Sequence, residues 1–144
     1  SKESALRFWD MCKKEQNRIE RVIWETDITE KSRVLDIGAG PGTLAIPLAQ
    51  KATHVTAVEP ADGMCSVMRE KMAEYGVENI TIVQKRWEEV DVASDLDPPY
   101  DVVVASRLHP DTSISTISRG RAPGAGCGRS FGPDCMEGII SAVQ

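Results

Sequence analysis

Residues 34–43 read VLDIGAGPGT, a short apolar run carrying an acid and followed by three glycines at alternate positions. Val34, Leu35 and Ile37 favour a strand, and the TLAIPLAQ that follows the glycines is rich in helix-forming apolar residues. The stretch therefore predicts a strand, a tight turn and a helix. Gly38, Gly40 and Gly42 permit positive φ and let a ligand approach the backbone, while the amides opening the helix present positive partial charge. Such a turn holds a nucleotide-like ligand or a carboxylate. A plain glycine connector would explain the turn but gives no reason for Asp36 at the strand end.

Working outward, HVTAVE at 54–59 predicts the next strand and ends in Glu59, 21 positions after Gly38. In a nucleotide-binding βαβ unit an acid at that distance receives the two ribose hydroxyls, because a carboxylate accepts two hydrogen bonds at once. The plainer alternative is a solvated acid at a strand end. Pro60 and Asp62 open a helical segment in which Met64, Val67, Met68 and Met72 share a face and Gly76 is the stop. That stripe reads as core first and ligand contact second. NITIVQ at 79–84 is a third strand candidate, and YDVVVAS at 100–106 is a fourth, apolar on both faces. Apolar strands alternating with helices predict an α/β fold: a three-layer sandwich around a mostly parallel, Rossmann-like sheet, incomplete after the fourth strand. Ligands in such sheets sit beyond the carboxyl ends of the strands, an edge that Asp36, Glu59, Trp87 and Ser106 would share.

Residues 3–25 place Leu6, Trp9, Ile19, Val22 and Ile23 among charges at spacings near three and four, an amphipathic helix that packs on the sheet or covers a ligand. Trp9 and Trp24 read as packing residues. Composition and charge change together past residue 109. Residues 110–144 hold six of the eleven glycines and no lysine, and include RGRAPGAGCGRSFGPDC. Residues 1–106 carry 13 basic and 19 acidic side chains (net −6), against four and three (net +1) in 107–144, within a total of −5. The reading is therefore a domain over 1–109 and a Gly/Pro-rich tail over 110–144. Three explanations stand for the tail: a disordered extension, a glycine-rich functional loop, or residues outside the native reading frame. The net charge argues against a general binder of phosphate backbones. No apolar run approaches the roughly 20 residues needed to span a bilayer, and residues 1–20 lack the apolar core of a signal peptide, so the expectation is a soluble, cytoplasmic protein. Cys12, Cys65, Cys127 and Cys135 show no paired ligand spacing, so no metal site is expected.

With Asp36 and the glycines of DIGAGPG, Glu59 closing the next strand, and DVVVAS as a fourth strand, residues 5–109 resemble class I S-adenosylmethionine-dependent methyltransferases. The acid two residues before the glycine run is characteristic of that family. A dinucleotide motif would want glycine or alanine where this chain has Thr43, which weakens a nicotinamide oxidoreductase. The resemblance implies S-adenosylmethionine as cofactor. Its sulfonium and α-ammonium would sit near Asp36, with the methionine part against the backbone of Gly38, Gly40 and Gly42, and Glu59 on the ribose hydroxyls. Pro60 and Met64 would flank the adenine, with Trp87 and Ser106 completing the site. One departure stands out: many members carry an acid that accepts from the adenine amino group, whereas KRWEE here puts Arg86 in that place. Arginine cannot accept a hydrogen bond, so Glu88 in a shifted register, or backbone amides with stacking on Trp87, would do that work.

DPPY at 97–100 looks like the signature of methyltransferases acting on amino groups, but it precedes the fourth strand instead of following it. It reads as an extended turn. Ser106, Arg107, Leu108 and His109 stand in the corresponding place and name no acceptor. His109 is the only base candidate near the site, weighed against an exposed loop histidine, and no catalytic residue is assigned. The function expected is methyl transfer to a small-molecule acceptor, with nucleic acid not favoured as a partner and no membrane partner. The alternatives are a non-catalytic S-adenosylmethionine-binding protein or an inactive fragment, since family members need three more strands beyond the fourth, and, less well supported, a nicotinamide-dependent oxidoreductase.

Overall fold

The computed structural model describes residues 1–13, 28–105 and 115–118. Helix α1 (Lys2–Lys13) precedes strand β1 (Arg33–Ile37), helix α2 (Ala45–Lys51), strand β2 (His54–Val58), helix α3 (Asp62–Tyr75) and strand β3 (Ile80–Val83). A 3-10 turn (Trp87–Glu89), the short helix α4 (Val92–Asp95), strand β4 (Val102–Ala105) and strand β5 (Ser115–Ser118) follow. The strands form one sheet in the order β3-β2-β1-β4-β5. The first four are parallel, with Asp36 in register between Ala57 on β2 and Val104 on β4, while β5 runs antiparallel to β4. The sheet thus continues one strand past the point where apolar periodicity stops. Chain order reverses at β1, flanked by β2 on one side and β4 on the other, and parallel α/β sheets open a ligand crevice there.

The two faces are filled differently. Val34, Val55, Ala57, Val102 and Val104 meet Trp9 of α1 and the apolar sides of α2 and α3. Leu35, Ile37, Val58 and Val103 meet Leu96 and Tyr100, with Trp87, Val90 and Val92 packed against them. The α/β architecture expected from alternating apolar strands and helices is what forms, because a two-sided apolar strand is stable only with both faces covered. The predicted N-terminal helix forms over Lys2–Lys13; residues 14–27, with Trp24, lie outside the described residues.

Local chemistry explains the element ends. Gly76 adopts φ 65° just past α3 and returns its amide to Ala73 O, while Val77 N donates to Met72 O at 2.8 Å, the left-handed stop expected of that glycine. The Asn79 side-chain amide donates to Ala49 O and Ala52 O at 2.7 and 3.1 Å, so α2 does not end on bare carbonyls. DPPY proves structural. Tyr100 is buried, with its hydroxyl donating to Thr56 Oγ1 at 3.2 Å and accepting from Asp97 N at 3.0 Å. Arg33 reaches Asp97 O and Pro99 O, and Asp101 Oδ2 accepts from Arg33 N. These contacts tie the amino ends of β1 and β4 together, at the edge opposite the glycine turn.

Candidate nucleoside-binding cleft

β1 delivers the chain directly into the glycine turn. Gly38, Gly40 and Gly42 have φ values of 72°, 59° and 88°. At Gly42 a Cβ would stand 2.8 Å from Met68 Cγ, so the packing of α3 as well as the backbone angle requires glycine. The turn is pinned to the end of β2, where Val58 O accepts from Gly38 N at 2.9 Å and Ala39 N at 3.1 Å.

Glu59 follows immediately and is buried at 8% exposure. Its Oε1 accepts from Gly40 N and its Oε2 from Ala61 N, both at 2.9 Å. The carboxylate therefore braces the glycine turn against the start of α3. An ionised carboxylate has about four lone-pair sites, so acceptor capacity remains on both oxygens. Beside it opens a cleft of about 510 Å³, lined by Gly38, Glu59, Pro60, Arg86, Trp87 and Glu88 among others. That volume lies within the range of small-molecule and cofactor pockets, ~300–1,000 Å³.

Asp36 lies on the other side of the turn, completely buried on the face that α1, α2 and α3 cover. Phe8 on α1 overlies the same turn, its Cε1 standing 3.7 Å from where a Gly40 Cβ would be.

The expected site residues are thus only partly gathered. Gly38, Glu59, Pro60 and Trp87 line the cleft, and Gly40 joins them through its bond to Glu59. Asp36 precedes the turn and Gly42 lies within it, and neither lines the cleft. Met64 is half-buried and packs against the helix-covered core, as the other methionines of its stripe do. Ser106 and His109 lie outside the described residues. Sequence reasoning missed Phe8, whose only signal was its place beside Trp9 on the amphipathic helix. It also missed Lys85, which lines the cleft and reaches both Asp95 oxygens at 2.9 Å. That bond, with the backbone amide of Asp91, holds the Asp95 carboxyl below its ordinary pKa. The Cys65 thiol donates to Glu59 O at 3.3 Å, and burial first, then the Glu59 charge, pushes it up to about 11. Such a thiol is a packing group, since the thiolate is the reactive form.

Residues 34–121, more than half of the chain, match the family described as "Methyltransferase domain". A probable ribosomal RNA small subunit methyltransferase A from Methanosphaera stadtmanae is 29% identical over 92 residues, covering 64% of this chain and 32% of that protein. Protein arginine N-methyltransferase 7 from Oryza sativa subsp. indica is 36% identical over 104 residues, covering 65% of this chain and 14% of that protein. The chain therefore spans a third or less of these curated relatives. Among solved structures, a putative S-adenosylmethionine-dependent methyltransferase from Methanococcus maripaludis superposes with a TM-score of 0.68 at 19% identity, over 100% of this chain and 59% of that one, a likeness of fold. The relatives overturn the expectation of a small-molecule partner with nucleic acid disfavoured: their names specify ribosomal RNA and protein arginine. Net charge misled because it averages over the whole chain, whereas an acceptor meets a local surface.

Proposed function

The chain belongs to the methyltransferase-domain family, and from that premise we propose that it transfers methyl groups from S-adenosylmethionine to a group on a macromolecule, RNA or protein. The observation that carries the cofactor half is Glu59: a buried carboxylate, braced by the Gly40 and Ala61 amides, at the wall of a nucleoside-sized cleft. In this reading Glu59 accepts from the ribose hydroxyls through its remaining lone pairs. Pro60 and Trp87 bound the purine, and Asp36 balances the positive charge of the amino-acid end across the turn. The resemblance of the chain to ribosomal RNA and protein arginine methyltransferases supports the macromolecular acceptor.

When bound, the cofactor supplies an electrophilic methyl on a cationic sulfur. The protein's own work is to hold and orient it and to exclude water, since an in-line displacement needs alignment above all. Phe8 and Trp87, on opposite sides of the turn, supply apolar surface for that exclusion.

Two experiments test the reading together. Calorimetry with S-adenosylmethionine should show binding that Asp36→Ala and Glu59→Ala each weaken at least tenfold. Methyl-labelled S-adenosylmethionine, offered with small-subunit ribosomal RNA and separately with arginine-containing peptides, should label one of the two. A folded chain that binds no S-adenosylmethionine refutes the cofactor reading; binding with neither acceptor labelled refutes the transfer.

A further inference from the structure

The cleft wall carries two cations with different commitments. Lys85 is held by Asp95. Arg86 flanks the 3-10 turn without a side-chain capping bond, and among the described residues its guanidinium makes no hydrogen bond or ion pair. It is exposed and lines the cleft directly before Trp87, which is anchored against the cluster of Val58, Leu96 and Tyr100. A donor-only group thus stands next to the flat residue that bounds the base.

The chemistry of purine edges then decides what this wall can read. Arginine offers five N–H donors in a fixed fork and accepts nothing. The 6-amino group of adenine is itself a donor, so beside an arginine only single ring nitrogens remain to be bonded. A 6-oxo purine presents O6 and N7 as adjacent acceptors, the pair that arginine engages with two parallel bonds when it reads guanine.

We propose that Arg86 makes this cleft a reader of purine acceptor atoms, so that a cofactor with a 6-oxo purine binds at least as tightly as the adenine form. The inference rests on the cleft being the nucleoside site of the cofactor. Glu88, which also lines it, is the competing reader, because its carboxylate would accept from the amino group and favour adenine.

The test is calorimetric titration of the full chain with S-adenosylhomocysteine and with S-inosylhomocysteine, its 6-oxo counterpart. The unaltered protein should bind the inosyl compound with equal or lower Kd. Arg86→Asp, which replaces the donor with an acceptor, should move the ratio of the two affinities toward the adenosyl compound by about tenfold or more. Arg86→Gln should move it less, in the same direction, and Glu88→Gln should leave it unchanged. Tighter binding of the adenosyl compound by the unaltered chain, or a ratio that Arg86→Asp and Arg86→Gln do not move, overturns the proposal while leaving the cofactor reading intact. Binding of neither compound by a chain that melts cooperatively overturns the cofactor reading, and this proposal with it.

Discussion

Glu59 carries two jobs on one carboxylate, and they separate under substitution. Its oxygens accept the Gly40 and Ala61 amides, so Glu59→Gln would set an amide N–H against one of those donors. The unfolding free energy should fall by ~1–3 kcal/mol, the cost of leaving a buried group unsatisfied. Cofactor affinity should fall about tenfold or more, as a charge-assisted acceptor is lost. Denaturant titration and calorimetry measure the two effects independently; unchanged affinity in a destabilised variant would make Glu59 a brace only. Cys65 beneath it supplies a pH signature. Its pKa is raised from 9.0 to about 11 by burial and the Glu59 charge, so the folded chain keeps a proton that the unfolded chain releases. The stability this group contributes is complete below pH 9 and is lost as pH rises toward 11. Cys65→Ala should therefore flatten the fall in stability between pH 9 and 11 relative to the unaltered chain, measured by urea unfolding at both pH values.

At the scale of elements, α1 matters most for what it sets over the turn. Trp9 is 3% exposed, its ring centroid 6.2 Å from that of Tyr75 and 5.1 Å from Lys71 Nζ on α3. Lys2 pairs with Glu70 near the other end of the helix, an exposed contact of small worth. Burial of Trp9, more than that ion pair, holds α1 against α3 and so holds Phe8 at Gly40. Trp9→Ala should cost ~3–5 kcal/mol of stability, as large-to-small changes of buried aromatics do. Met11→Ala, at a residue 58% exposed, should stay within ~0.5 kcal/mol. Equal effects of the two in denaturant unfolding would mean that α1 is not docked in solution.

For the whole molecule, the reversal of chain order at β1 creates the crevice, and the cofactor would bridge elements far apart in sequence: the turn after β1, Glu59 after β2 and the wall at 85–89. A ligand with so distributed a footprint stabilises only the assembled sheet. S-adenosylhomocysteine at 100 times its Kd should add ~2.7 kcal/mol, raising Tm by about 8 °C for a chain of this size. A melting scan with and without ligand checks this; a rise no larger than that of Glu59→Ala at the same ligand concentration would place binding elsewhere. No helix among the described residues is long and apolar enough to cross a membrane.

The sequence by itself determined the alternation of strands and helices, the glycine turn with its acid and Glu59 at the next strand end. Each rests on local chemistry: β-branched runs that must be buried, glycines where φ is positive, and acids placed at the carboxyl ends of β1 and β2. It was silent on β5, because an edge strand with one partner needs no two-sided apolar pattern. It placed the methionine stripe of α3 in the core but left open whether Met64 also reached the ligand. Tertiary structure decided that Met64 packs inward, that Phe8 covers the turn, that Asp36 and the cleft lie on opposite sides of it, and that Lys85 is bound to Asp95 while Arg86 is not. Those outcomes depend on which faces meet across the sheet, and sequence spacing fixes a residue's place along its own element but not what the neighbouring element brings against it.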